Sequence, residues 1–165
     1  VTHEALEGSR ASLVMFICNH CPFVKHVVGE LGRLGDDYLS RGVGIVAINS
    51  NDVRLYPQDG PERMKELSER EGWAFPFLLD DTQEVAKEFR AACTPDFFLF
   101  DAEGRLAYRG QLDDSRPGNG RPVTGRDLRA ALDAVLEGGS VPEPQIPSVG
   151  CNIKWTPGNA PDYYG

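Results

Sequence analysis

The sequence predicts an α/β domain in which a mixed β-sheet is flanked by helices on both faces. Short apolar runs rich in β-branched and aromatic residues alternate with longer segments whose apolar residues recur at helical spacing. Late in this alternation two strand-like runs follow each other directly, which adds an antiparallel hairpin to otherwise parallel strands. With 165 residues, the chain is long enough to bury one hydrophobic core.

The first half of the predicted sheet is a strand–helix–strand unit. The apolar run SLVMFI at residues 12–17 predicts a buried strand, and the helical pattern over residues 22–39 begins at a proline. Gly42 ends that helix, and VGIVAIN at residues 43–49 predicts a second buried strand. A helical connection makes the two strands parallel, with a right-handed crossover.

The second half adds two helices, a short strand, the hairpin and a last helix. These elements are predicted at residues 61–71, 75–79, 82–90, 96–100 with 105–109, and 126–136. The charged segment PERMKELSERE is the first of these helices, and two glycines at 138 and 139 stop the last one.

The composition changes near residue 140. We therefore predict one domain over residues 1–139 and a Pro/Gly-rich tail over residues 140–165, which contains five prolines and little periodicity. Because the tail also carries Cys151, Ile153 and Trp155, part of it is expected to pack on the domain.

Charge and hydropathy exclude several classes of partner. The formal net charge of −8 argues against nucleic acid and anionic membranes. No apolar run approaches the roughly 20 residues of a membrane helix. We expect a cytoplasmic protein, and an export signal stays open because the chain begins at Val1 and not at Met.

The motif FICNHCPFVKH places Cys18 and Cys21 two residues apart, between the first strand and the first helix. A helix N-terminus favours an anion and lowers the pKa of a nearby thiol. One thiolate can then attack a substrate disulfide while the second sulfur resolves the mixed disulfide. Between the cysteines, Asn19 and His20 carry no negative charge, and His20 could stabilise the thiolate.

A metal clip and a pair of buried thiols are the alternatives. A zinc site needs about four ligands. Cys18, His20, Cys21 and His26 do not converge easily as a tetrahedron from one helix start, so we predict no metal ligands in this segment.

Five segments together resemble a bacterial group of thioredoxin-like proteins of the AhpC/TSA redoxin family that share a CNHCP motif. They are FICNHCPFVKH, INSND, TPDFFLFD, YRGQLDDSRPG and GCNIKW. The resemblance covers almost the whole chain and implies a thioredoxin-like fold with a redoxin-type insertion over residues 51–80. It also implies a cis Thr94–Pro95 bond that faces the cysteines.

The resemblance implies a thiol–disulfide oxidoreductase in which Cys18 attacks and Cys21 resolves. Asn19, His20, Thr94 and Pro95 would tune the site or bind substrate, with the Thr94 backbone pairing with an extended substrate segment. Its partners would be protein or small-molecule thiols and disulfides, together with an upstream thiol reductant or oxidant. No organic cofactor is implied, because the dithiol itself carries two electrons.

Two departures bear on function. Thioredoxins carry a buried aspartate six residues before the first cysteine, and here that position is Ser12, so another group or water must handle protons. Thiol peroxidases place a proline and a Thr or Ser upstream of their cysteine. Residues 1–17 contain no proline and Met15 lies three before Cys18, so peroxide reduction is the less favoured alternative.

A metallochaperone is the alternative from another class. Copper-delivery proteins of this fold resemble C-x-x-x-C plus a distal histidine, whereas this chain has C-x-x-C and only His3 outside the motif region. Cys93 is expected to be structural. Cys151 is left open between a third redox thiol, a partner for Cys93 and a buried anchor.

Overall fold

The computed structural model describes Leu6 and residues 8–164. Its main sheet has five strands in the order β3-β2-β1-β5-β6. The strands are β1 (Ala11–Phe16), β2 (Val43–Asn49), β3 (Phe77–Leu79), β5 (Asp96–Asp101) and β6 (Leu106–Gly110). The strands β1, β2 and β3 run parallel, whereas β5 is antiparallel to both β1 and β6. The predicted mixed sheet and hairpin are therefore present.

Within the described residues, five α-helices of four or more residues surround this sheet. They are α1 (Pro22–Lys25), α2 (Val28–Leu39), α3 (Pro61–Glu71), α4 (Glu84–Phe89) and α5 (Arg126–Leu136). One apolar cluster joins α2, α3 and α5 to one face of the sheet, and a second joins α4 and the tail residue Ile153 to the other face. The helices cover both faces because the central strands are buried on both sides.

The predicted helix over residues 22–39 is interrupted. Val27 leaves helical geometry, with φ of −116° and ψ of 3°, and so separates α1 from α2. At this break His26 Nε2 lies 2.7 Å from Ser115 Oγ, and Val27 is buried in the core. Tertiary packing at these two residues therefore overrides the continuous helical pattern.

Two other predicted elements are shorter than their patterns suggest. The strand predicted from residue 75 begins at Phe77, because Pro76 has no N–H to donate to the sheet. The helix predicted from residue 82 begins at Glu84, because Gln83 adopts a left-handed φ of 66°.

The tail after residue 140 packs on the domain. Its short strand β7 (Cys151–Asn152) pairs antiparallel with β4 (Cys93–Thr94) in a separate two-stranded sheet. Further along the tail, the Lys154 carbonyl accepts a hydrogen bond from the backbone N–H of Asp52 at 2.8 Å. Among the helices of the described residues, none combines the length and apolar character that crossing a membrane requires.

Candidate active site

The two cysteines of the motif lie where β1 gives way to α1. Cys21 is the residue before the first turn of α1, and Pro22 opens that turn. Both thiols are free, and both are buried, with 1% of Cys18 and 0% of Cys21 exposed. The strand and the helix therefore hold two reduced sulfurs together below the surface.

The segment around Pro95 contacts both sulfurs. Cys18 Sγ lies 3.6 Å from Thr94 Oγ1, and Cys21 Sγ lies 3.4 Å from the Thr94 carbonyl oxygen. The Thr94–Pro95 peptide bond is cis, as the resemblance predicts. The structure thus brings Cys18, Cys21, Thr94 and Pro95 together from distant parts of the chain.

The β4 edge that was expected to bind substrate is already paired with a strand of the tail. That edge was predicted to receive an extended substrate segment, but Thr94 pairs with Cys151 of the chain's own tail. Direct pairing of a substrate with Thr94 requires β7 to leave.

A buried carboxylate that the sequence did not single out anchors the residues between the cysteines. Asp59 is 0% exposed, and its Oδ1 accepts the backbone N–H groups of Asn19 at 2.7 Å and His20 at 3.0 Å. Its Oδ2 contacts His20 Nδ1 and accepts a hydrogen bond from Asn51 Nδ2 at 3.0 Å. Asp59 therefore fixes the shape of the C-x-x-C turn.

The loop after β2 supports this carboxylate. Asn49 Nδ2 donates to the Asp59 carbonyl at 2.7 Å, and the His20 ring stacks on Tyr56 with ring centroids 5.6 Å apart. Asn49 and Asn51 stand at the end of a parallel strand, where such residues either line a ligand cleft or simply form the turn. The structure makes them supports for Asp59, and the candidate site depends on them indirectly.

The pKa values of the two thiols of the motif are shifted in opposite directions. A hydrogen bond from the Cys18 thiol lowers the pKa of Cys21 to about 4. The same bond, together with burial and the negative charge of Asp59, raises the pKa of Cys18. The sequence favours a thiolate on Cys18, whereas this arrangement places the resting charge on Cys21.

Replacing Cys18 with alanine tests this charge distribution. We expect the pKa of Cys21 to rise from about 4 toward the ordinary thiol value, because its strongest hydrogen-bond donor is lost. The absorbance of the thiolate near 240 nm, titrated against pH in the reduced protein, measures the change. The matched Cys93→Ala variant should leave the titration midpoint in place, and a midpoint unmoved by Cys18→Ala would contradict the shared-proton arrangement.

Three possible metal ligands also meet at this point. Atoms of Cys18, His20 and Asp59 all lie within 4.8 Å of one another. His26, the other histidine of the motif region, faces Ser115 instead. His3, the one histidine of the sequence outside the motif region, lies outside the described residues.

Comparisons with known proteins place the chain in a family. The model of the AhpC/TSA family matches residues 1–109. The chain belongs to the AhpC/TSA family. No curated protein matches it.

Solved structures extend the comparison over nearly the whole chain. An uncharacterized conserved protein from Geobacillus kaustophilus is 62% identical, with a TM-score of 0.91 over 93% of this chain and 82% of that one. A hypothetical protein from Sinorhizobium meliloti is 54% identical, with a TM-score of 0.91 over 94% and 84% of the two chains. These likenesses extend the match into the tail.

A more distant structure identifies the fold. A thiol:disulfide interchange protein of the thioredoxin family from Chlorobium tepidum is 19% identical, with a TM-score of 0.62 over 81% of this chain and 84% of that one. At this identity the likeness concerns the fold alone. This AhpC/TSA-family redoxin therefore has a thioredoxin-like fold.

Proposed function

We propose that this redoxin is a thiol–disulfide oxidoreductase that works through Cys18 and Cys21. The observation that carries the proposal is the contact of both reduced sulfurs with Thr94, beside Pro95. Two thiols held this close can exchange two electrons as a dithiol and a disulfide. The proposed partners are protein or small-molecule thiols and disulfides, with a second thiol system returning the pair to its starting state.

The shared proton gives the reaction a defined order. As Cys18 attacks one sulfur of a substrate disulfide, its proton moves along the hydrogen bond to the Cys21 thiolate. A mixed disulfide forms between Cys18 and the substrate, and the other substrate sulfur leaves as a thiolate. Cys21 then gives up this proton and attacks the Cys18 sulfur, releasing the second substrate thiolate, so two electrons and the single proton of the pair pass to the substrate.

The anchored turn supports this role. With Asp59 accepting two backbone N–H groups and Asn51 donating to the same carboxylate, the residues between the cysteines have little freedom to move. A fixed turn keeps the two sulfurs close in both steps, which raises their effective concentration toward each other.

The reduction potential of the pair is the decisive measurement. The protein is equilibrated with glutathione buffers and its free thiols are alkylated, with Cys18→Ser and Cys21→Ser as references. A potential near about −270 mV would indicate a reductase, and one near about −120 mV a disulfide donor. If no Cys18–Cys21 disulfide forms at any ratio of reduced to oxidised glutathione, the proposed function fails.

Metal binding is the second candidate function, because ligand atoms of Cys18, His20 and Asp59 meet within 4.8 Å. The Asp59 carboxylate already contacts the His20 imidazole and accepts two backbone N–H groups, so an ion would have to displace those hydrogen bonds. We therefore expect less than one equivalent of zinc or copper on the reduced, purified protein. Elemental analysis, repeated on His20→Ala, measures it; one full equivalent lost in His20→Ala would favour the metal site.

A further inference from the structure

The tail carries a third thiol to the cysteine pair. In the β4–β7 ladder Cys151 lies directly opposite Thr94, and Cys93 lies opposite Asn152. Residues directly opposite each other in an antiparallel pair project on the same face, and neighbours along a strand project on opposite faces. Because the Thr94 side chain contacts Cys18, the ladder points Cys151 toward the pair and Cys93 away from it.

Contacts agree with this register. Cys151 packs against the apolar cluster that contains Cys18 and Cys21. Cys21 Sγ lies 3.4 Å from the carbonyl oxygen of Thr94, the residue that Cys151 faces across the ladder. Cys93 instead donates to the carbonyls of Pro95 and Ser148, at 3.7 and 4.0 Å.

Cys151 is more exposed to solvent than either cysteine of the motif. The two sulfurs of the motif are buried, whereas Cys151 is only half-buried. An external thiol can therefore approach Cys151 more readily than Cys18 or Cys21. Lys154, three residues further along the tail, adds a positive charge that favours a thiolate at Cys151.

We propose that Cys151 is a third redox thiol, which takes over the disulfide from the Cys18–Cys21 pair and presents it to an external thiol. The proposal rests on the thiol–disulfide activity proposed above. In the internal step Cys151 attacks Cys21, a Cys21–Cys151 bond forms, and the Cys18–Cys21 bond breaks. Cys18 leaves as a thiolate and takes the proton that Cys151 gave up, so no net electrons are gained or lost.

The external step returns the protein to its reduced state. An external thiolate attacks the half-buried Cys151 sulfur, forms a mixed disulfide with it and releases Cys21 as a thiolate. A second external thiol then attacks the mixed disulfide and frees Cys151. The two external thiols leave as one disulfide, and their two electrons stay on the protein.

The proton balance of Cys151 changes during this cycle. In the reduced protein, burial and the interaction with Cys21 raise the pKa of Cys151 to about 11. When Cys21 is bonded to Cys18 it is no longer a thiolate, so that second cause disappears. Cys151 thus becomes a better nucleophile when the pair is oxidised.

Oxidising the Cys18→Ser variant of the whole 165-residue chain with glutathione disulfide tests the proposal. With Cys18 absent, we expect a Cys21–Cys151 disulfide in most molecules, identified by peptide mass mapping without reduction. Cys18→Ser/Cys93→Ser is the matched control and should form the same disulfide, whereas Cys18→Ser/Cys151→Ser should not. A Cys21–Cys93 disulfide, or no intramolecular disulfide in a folded Cys18→Ser protein, would overturn the proposal.

A second measurement separates this proposal from the proposed function. In the otherwise wild-type protein, Cys151→Ser should still form the Cys18–Cys21 disulfide, but glutathione should reduce that disulfide at least about tenfold more slowly. An unchanged rate overturns the role of Cys151 and leaves the oxidoreductase intact. Failure of the Cys18–Cys21 disulfide to form in the wild-type protein overturns the oxidoreductase itself.

Discussion

Asp59→Asn should make Cys18 react with iodoacetamide at least about tenfold faster at neutral pH. The carboxylate lies within 4.8 Å of Cys18 and its negative charge raises the pKa of that thiol. Two charges about 5 Å apart at an effective dielectric constant of about 20 interact by about 3 kcal/mol, and one pKa unit corresponds to about 1.4 kcal/mol. Removing the charge therefore lowers the pKa of Cys18 and raises its thiolate fraction at a given pH.

The same substitution should also destabilise the protein by about 2 kcal/mol. One oxygen of the new amide can still accept the N–H groups of Asn19 and His20, but its NH₂ group would face the Asn51 amide donor. A buried donor without an acceptor has a free-energy penalty of about 1–3 kcal/mol. Urea denaturation measures the free energy of unfolding of the two proteins.

Peptide-resolved alkylation of the reduced protein, followed against pH, reports the pKa of Cys18. Asp52→Asn is the matched control, because Asp52 is a buried acid of the same loop that instead caps the N–H groups of Arg54 and Leu55. Asp52→Asn should leave the alkylation profile of Cys18 unchanged. A folded Asp59→Asn protein with the wild-type profile would show that Cys18 does not sense the charge of Asp59.

The elements of the fold were predictable because each depends on local pattern. Residues 43–49, 61–71 and 126–136 form their predicted elements at the predicted bounds, since apolar periodicity, a leading proline and terminal glycines act within one segment. The break at Val27 was not predictable. It depends on a contact between His26 and Ser115, which lie 89 residues apart.

The candidate site was predictable only where a motif marks it. Cys18, Cys21 and Pro95 stand in recognisable sequence patterns, and the structure brings them together. Asp59 lies between two prolines in a polar loop and looks like an ordinary turn residue until the fold buries it beneath His20. The signal available was Ser12 at the position of the buried acid of thioredoxins, which indicated that another group or water must handle protons near the pair.

The position of Cys151 escaped prediction for a related reason. The tail has few periodic residues, and its two-residue strand is defined only by the register with β4. Pairing between residues more than 50 positions apart leaves no local pattern in a segment this short. The sequence could name Cys151 as a candidate thiol but could not choose between Cys21 and Cys93 as its neighbour.

Gly150→Ala should detach β7 from the cysteine pair. A Cβ at Gly150 would overlap the Thr94 carbonyl oxygen and lie 2.7 Å from the Thr94 carbonyl carbon. These are backbone atoms beside Pro95, so they cannot move aside as a flexible side chain can. The tail strand must shift, and we expect its docking to weaken by about 1–3 kcal/mol.

Weaker docking of β7 should speed the reaction of the cysteine pair with a peptide disulfide and slow the formation of the Cys21–Cys151 disulfide. Since each 1.4 kcal/mol is a tenfold change in an equilibrium, the β4 edge should be open roughly 5- to 150-fold more often. An extended peptide disulfide could then pair with Thr94 and should react faster with the Cys18–Cys21 pair. In the Cys18→Ser background, formation of the Cys21–Cys151 disulfide should slow, because the two sulfurs no longer face each other.

Hydrogen exchange at the β4–β7 amides and the rate with a peptide disulfide measure the two effects. Gly139→Ala, directly before the tail, is the matched control, because its new Cβ would have only the Ala134 carbonyl oxygen nearby, at 3.7 Å. If Gly150→Ala accelerates hydrogen exchange but not peptide reduction, the substrate does not use the Thr94 edge. In that case β7 acts only as the carrier of Cys151, the half-buried thiol that external thiols reach.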